Sequence, residues 1–190
     1  MAINEYSFVT LEEVKGFMGM TGSVSETDDF LESLIDRVST LFESYMGRKI
    51  LSREYTEYHN GRGLSVLFPE QPYITTISGV WDDEGWSWAS SSEIDSTEYR
   101  VSFNNYITLK DTILGDFAQN IKIIYTAGFS AVPDDLKHAC ITEIVRAYKN
   151  RNQVDIVSRT LADGSVNFSA KDLLPLTKLT LDSYRNIGIV

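Results

Sequence analysis

The chain is poor in the residues that build reactive or metal sites. It has 190 residues but a single cysteine, Cys140, and two histidines, His59 and His138. One cysteine excludes an internal disulfide, and nothing in the pattern calls for an oxidising compartment. Nowhere do His, Cys and carboxylates fall at the spacings by which metal ligands converge. Apolar runs are short as well. No stretch approaches the roughly 18 residues of a membrane span, and Met1-Ala2-Ile3-Asn4-Glu5 lacks the basic start and apolar run of a secretory leader. The expectation is a protein made and kept in a cytoplasm. Basic charge is scarce too. The formal net charge is −10, spread as −5 over residues 1–50, −6 over 51–132 and +1 over 133–190. Proteins that grip duplex DNA neutralise phosphates with a basic patch. An acidic chain does not do that, although an acidic surface is compatible with surrounding DNA.

What is present is a core. Hydrophobic residues make up 43% of the chain, enough to exclude the composition of disorder, and the length fits one domain with a sizeable insertion. Thr10 and Glu13 form a capping box, with Val9 and Val14 at staple positions, ahead of an apolar face of Leu11, Val14, Phe17 and Met18 that Gly19 ends. A second helix opens at Ser25 with Asp28. Phe30, Leu31, Leu34, Ile35, Val38, Leu41, Phe42, Tyr45 and Met46 follow the helical period to Gly47, opposite a solvated face of Asp29, Glu32, Asp36 and Glu43.

From Leu51 to Phe129 the pattern changes to short strands. Tyr55–Tyr58, the turn Asn60-Gly61-Arg62-Gly63 and a returning Leu64–Phe68 read as a hairpin. Tyr73–Trp81, a solvated tip at Asp82-Asp83-Glu84-Gly85 and Trp86-Ser87-Trp88 read as another. Tyr99–Val101, Tyr106–Leu109 and Ile121–Tyr125 complete an antiparallel set. Pro133, Asp134 and Asp135 start a third helix with Leu136, Cys140, Ile144, Ala147 and Tyr148 inward. Gln153–Ser169 is a long connection with a hairpin turn at Ala162-Asp163-Gly164-Ser165. A last helix begins near Pro175, with Leu176, Leu179 and Tyr184 available for packing, before the apolar tail Asn186–Val190. The fold expected is α+β: a helical bundle of two N-terminal and two C-terminal helices with an inserted antiparallel β region. It is one domain over 1–190, helical over 1–50 and 130–190, β-rich over about 51–129.

The candidates for chemistry are few. Cys140 sits at a core position with no histidine partner, so a structural thiol is the default reading. His59 and His138 read as ordinary histidines. Asp82-Asp83-Glu84 lacks the alternating ligands of a calcium loop. Trp81, Trp86 and Trp88, on facing arms of one hairpin, could stack carbohydrate or bases, against sheet packing or a subunit interface as the plainer role. No catalytic, metal-binding or cofactor-binding residue is assigned.

Several segments, taken in order, resemble one family. These are Thr10-Leu11-Glu12-Glu13-Val14-Lys15, the Phe30–Met46 helix closed by Gly47-Arg48, and Tyr125-Thr126-Ala127-Gly128-Phe129. The last leads through Val132-Pro133-Asp134-Asp135-Leu136-Lys137-His138-Ala139 to a helix ending Tyr148-Lys149-Asn150-Arg151. Leu174-Pro175 and Leu181-Asp182-Ser183-Tyr184-Arg185 complete the set. Together they resemble the head–tail connector proteins (adaptor, or head-completion, proteins) of long-tailed bacteriophages and gene-transfer particles, in their longer-chain branch. The resemblance implies a non-enzymatic virion protein assembled in the bacterial host cytoplasm. It implies a ring of identical subunits, twelve in the particle, under the portal protein, with DNA passing through the lumen without sequence-specific binding. The ring would carry a neck stopper or tail-completion protein, and touch no membrane. The isolated chain could be a monomer. The C-terminal residues Tyr184, Arg185, Ile187, Ile189 and Val190 resemble the arm by which such adaptors grip the portal. The alternative is a carbohydrate- or nucleic-acid-binding module using the Trp81, Trp86 and Trp88 hairpin.

Overall fold

The structure, a computed structural model, describes residues 4–22, 24–151, 158–161, 164–167 and 173–185. It divides into two compact units, one of residues 1–48 with 132–190 and one of residues 49–131.

The first unit is helical. Helix α1 (Leu11–Met18) begins as the capping box dictates. The Thr10 hydroxyl accepts from the Glu13 N–H at 3.2 Å, and Glu13 returns the bond to the Thr10 N–H at 2.8 Å. The Thr10 N–H and Lys137 together outweigh burial and hold the Glu13 carboxyl below its usual range. Gly19, left-handed at φ 68°, ends the helix. Helix α2 (Ser25–Met46) buries Leu31, Leu34, Ile35, Val38, Phe42 and Met46 against α3 (Asp134–Lys149) and α4 (Pro175–Ser183). Leu41, expected in that stripe, is exposed, and Glu43, expected on the solvated face, is buried. The stripe is centred further round the helix than the apolar residues alone suggest, because α1 as well as α3 and α4 packs against α2. The N-terminal segment docks on α2, with the Asn4 N–H and Ser7 hydroxyl both donating to Asp36. Pro133 stands at the N-cap of α3 rather than at its first turn. On α4 the inward residues are Thr177 and Leu181, whereas Leu176 and Leu179 face solvent. Helix α4 is anchored by bonds from Tyr45 to Asp182 and from Tyr184 to Asp135, which select a face that hydrophobicity alone does not. Between α3 and α4 the strands Ser158–Leu161 and Gly164–Asn167 pair antiparallel and meet at Leu161 and Gly164, as the hairpin turn requires.

The second unit holds two three-stranded antiparallel sheets. Strands β1 (Arg53–His59), β6 (Ile121–Ala127) and β3 (Ile74–Asp82) form one in that order. Strands β2 (Val66–Leu67), β5 (Tyr106–Leu109) and β4 (Tyr99–Ser102) form the other. With the helices, this gives the α+β class and the β region inserted between helices that the sequence predicts. The expected β1–β2 hairpin does not form. The turn at Asn60–Gly63 is present, but it hands the chain from one sheet to the other. Gly61 is required there, because a Cβ would lie 1.8 Å from the Gly115 carbonyl oxygen. Strand β6 is the central element. Ile121, Ile123, Tyr125 and Ala127 alternate inward and join Leu67, Ile74, Val80, Ile107, Leu109 and Leu114 in one core. Gly128 follows at φ 115°, with Leu51 backbone 2.8 Å from where a Cβ would stand.

Candidate partner-binding surfaces

The residues singled out in the sequence for chemistry are not brought together. Cys140 is buried, and burial pushes its thiol up to about 12, opposite to what a nucleophile needs. His138 is exposed on α3 and meets the edge of Phe17 at 6.1 Å. His59 ends β1, its Nε2 2.8 Å from Glu57 Oε2. Among the described residues no three or more His, Cys, Asp or Glu side chains converge to hold a metal ion, and no described helix is long and apolar enough to cross a membrane.

Glu57 is the best-connected carboxylate. It accepts from the Tyr125 hydroxyl at 2.5 Å and from the Glu70 N–H at 3.0 Å, besides its contact with His59. The Gln71 N–H donates to the Tyr125 oxygen. Burial pushes Glu57 up, but bonds from His59, Tyr125 and Glu70 outweigh it and hold the carboxyl below its usual range. Burial and Glu57 push the Tyr125 phenol far up. Through this cluster the Glu70 and Gln71 N–H groups tie the 68–73 segment to β1 and β6, a structural role.

The tryptophans do not stand on facing arms of one hairpin. Trp81 lies on β3 opposite Lys122 of β6, its ring covering Gly79 and carrying the Lys122 ammonium 4.8 Å from the centroid. Trp88 packs on Tyr58 at 5.4 Å. Trp86 is exposed, its indole N–H donating to the Ala118 carbonyl at 3.3 Å. Both Trp86 and Trp88 have positive φ, at 55° and 52°. Asp83 produces this bend. Its carboxylate accepts from the Ser87 hydroxyl, the Gly85 and Trp88 N–H groups and the Ser92 hydroxyl, with Ser87 the chief cause of its lowered pKa. Asp82 accepts from the Gly115 N–H and the Asn120 amide. The predicted solvated tip is therefore two carboxylates organising neighbouring loops, a role that isolated Asp residues in a sequence do not reveal.

Of the C-terminal residues predicted to meet a partner, Tyr184 is half-buried and donates to both Asp135 oxygens at 2.9 and 3.0 Å, and Arg185 is exposed. Ile187, Ile189 and Val190 lie outside the described residues. The surfaces sequence reading missed are exposed apolar ones: Leu176 and Leu179 on α4, Phe103 at the β4–β5 turn, and Leu64, Ile113 and Phe117, which join Trp86 in a group. Exposed apolar groups gathered in patches, rather than scattered, mark interaction surfaces.

Known proteins match the chain in fold and in family profile. No curated protein sequence matches the chain. Among solved structures, a chain from the "Neck of empty GTA particle computed with C6 symmetry" superposes with a TM-score of 0.62 at 16% identity, covering 100% of this chain and 98% of that one. A chain from the "Neck of native GTA particle computed with C12 symmetry" gives 0.59 at 16%, with the same coverage. A chain from the "Virion of native gene transfer agent (GTA) particle" gives 0.61 at 15%, covering 100% and 95%. At these identities the likeness is one of fold along the whole length. The profile of the head completion protein family matches residues 7–187, and the chain belongs to that family.

Proposed function

We propose that the chain is a structural subunit of the neck of a phage-like particle. In this reading it forms a ring that seats on the portal protein of the filled head, lengthens the DNA channel and presents a platform to the next neck or tail component. The observation that carries the reading is the head completion profile matched over residues 7–187. The folds it resembles belong to particle necks computed with C6 and C12 symmetry, which supports a ring of identical copies, twelve in the particle. The net charge of −10 suits a conduit. Acidic walls repel phosphates, so DNA passes without being held or read. No catalytic step, cofactor or metal is assigned.

The portal grip is assigned to the C-terminal segment from Tyr184 and Arg185 through Ile187, Ile189 and Val190. Apolar side chains gathered beyond the last helix gain by docking on a partner. A ring repeats each contact, so weak contacts add through effective concentration. The test is sedimentation of DNA-filled heads with the full chain or with a chain lacking Ile187–Val190. The full chain is expected in the pellet and the truncated chain in the supernatant, with both equally folded by circular dichroism. A full chain that stays in the supernatant overturns the neck reading. A truncated chain that pellets as well as the full one moves the grip elsewhere.

A further inference from the structure

The β unit has an apolar patch at each end. Strand β6 fixes the two ends, because Ala127 pairs with Ile74 at one and Ile121 with Asp82 at the other, roughly 20 Å apart over a seven-residue strand.

At the Ala127 end, the β4–β5 turn is tied in by the Ile74 N–H donating to the Asn104 carbonyl at 2.8 Å. Phe103 and Asn104 both take positive φ, 50° and 56°. A phenylalanine in the left-handed region is strained, and this one is 85% exposed. Its ring lies in a row with Tyr106 at 6.0 Å and Phe68, itself 5.6 Å from Tyr106. The left-handed pair closes the turn, with the Asn105 N–H donating to the Ser102 carbonyl at 3.1 Å, but the turn favours small residues there and the exposed ring fills no core within one chain.

At the Ile121 end, Asp82 and Asn120 hold the 113–120 loop. Leu64, Ile113, Phe117 and Trp86 are exposed there. The Leu114 N–H bonded to the Leu64 carbonyl and the Trp86 indole bonded to Ala118 keep the group together.

Charge separates the two ends. The hairpin Tyr99–Leu109 contains no carboxylate, and its single charge is the exposed Arg100. The second patch is bordered by the exposed carboxylates Glu84, Asp111 and Asp116 and by the cations Arg62 and Lys110, the latter paired with Asp111 at 3.7 Å, which leaves its rim net acidic. Two copies of a chain at −10 repel over most approaches. The acid-free aromatic tip can approach the acid-rimmed patch, whereas patch against patch sets like charges together. Two different, complementary surfaces on opposite ends of one unit make a heterologous contact, and repeated with rotation it closes a ring.

We propose that consecutive copies of this chain meet head to tail through their β units, the Phe103 tip of one copy seating on the Leu64, Trp86, Ile113 and Phe117 patch of the next. This rests on the ring reading and names the contact that builds the ring.

The test uses particles assembled with the full-length chain carrying Asn105→Cys beside the tip, Ala118→Cys beside the patch, or both, so that the aromatic rings stay in place, treated with a short bis-maleimide. Particles with the double variant should yield a ladder of multimers on a denaturing gel, and those with either single variant only monomer. A fourth chain, Phe103→Gly, suits the left-handed turn and removes the ring. It should melt no lower than wild type, yet its copies per particle should fall roughly tenfold or more, as when a central aromatic anchor is lost. A full complement of Phe103→Gly in particles overturns the proposal, as does a double variant present in full number without a ladder. A dimer from Asn105→Cys alone would mean tip-to-tip pairing, and a link from position 105 to another particle protein a different occupant. Either result overturns it. Absence of even the wild-type chain from particles is a different outcome, because it removes the ring reading itself and this contact with it.

Discussion

Glu57 is the residue on which the β unit's response to pH turns. Its carboxylate sits among the Tyr125 hydroxyl, the Glu70 N–H and His59, and its pKa lies below the ordinary 4.5. A carboxyl depressed in the folded state contributes stability above the unfolded value, and that contribution is lost as pH falls through the folded one. Glu57→Gln keeps the shape but removes the charged acceptor. It should cost about 1–3 kcal/mol at neutral pH by leaving Tyr125 and the Glu70 N–H with a weaker partner. The stronger sign is in the slope. Between about pH 5 and about pH 3 the wild-type urea midpoint should drop more steeply than the variant's. Parallel midpoint curves would mean that Glu57 is not the group being titrated. None of this is legible in the sequence, where Glu57 and Tyr125 fall on different strands with no sign that they meet.

At the scale of elements, the helices were the most readable and the strand partners the least. A capping box and a helical period are local, so Thr10, Glu13 and the α2 stripe announce themselves. Alternation reveals that β1 and β2 are strands but not what they pair with. The turn residues Asn60–Gly63 are the same whether the chain returns or crosses to a second sheet. The left-handed Trp86, Trp88 and Phe103 carry no local signal either, since bulky residues are rare there and the surrounding bonds impose the conformation. Even within α2 the period leaves the edges of the stripe undecided. Leu34 and Leu41 are a heptad apart and nearly in line, yet Leu34 is 8% exposed and Leu41 is 49%. Leu34→Ala should therefore destabilise by about 2–5 kcal/mol, as deletion of a packed leucine does. Leu41→Ala should change stability by less than about 0.5 kcal/mol, as at an ordinary surface site. Equal losses in urea titrations of the two variants would place Leu41 in the packed face after all.

At the scale of the whole molecule, the sequence pattern marks where strands begin and end but not whether they form a body of their own. The β unit, residues 49–131, leaves and rejoins the chain at one place. The Phe129 N–H donates to the Ile50 carbonyl at 2.8 Å and the Ser52 N–H to the Phe129 carbonyl at 2.9 Å. Its two ends are thus about one strand spacing, ~5 Å, apart, a gap that a few residues at ~3.3–3.6 Å each can close. Each unit also has buried apolar residues of its own. Phe8, Val14, Leu31, Ile35, Phe42, Leu136, Ile144 and Leu181 belong to the helical unit, and a continuous cluster around β6 belongs to the sheets. Closing so short a loop adds little entropy cost, so the helical unit should not need the β unit in order to fold. Replacing Lys49–Ala131 by a four-residue glycine–serine linker is therefore expected to give a helical protein with a single cooperative melt, and residues 49–131 alone a cooperative β fold. A gradual, non-cooperative loss of helix in the first, monitored by circular dichroism, would mean that the helices depend on the β unit and that the two fold as one body.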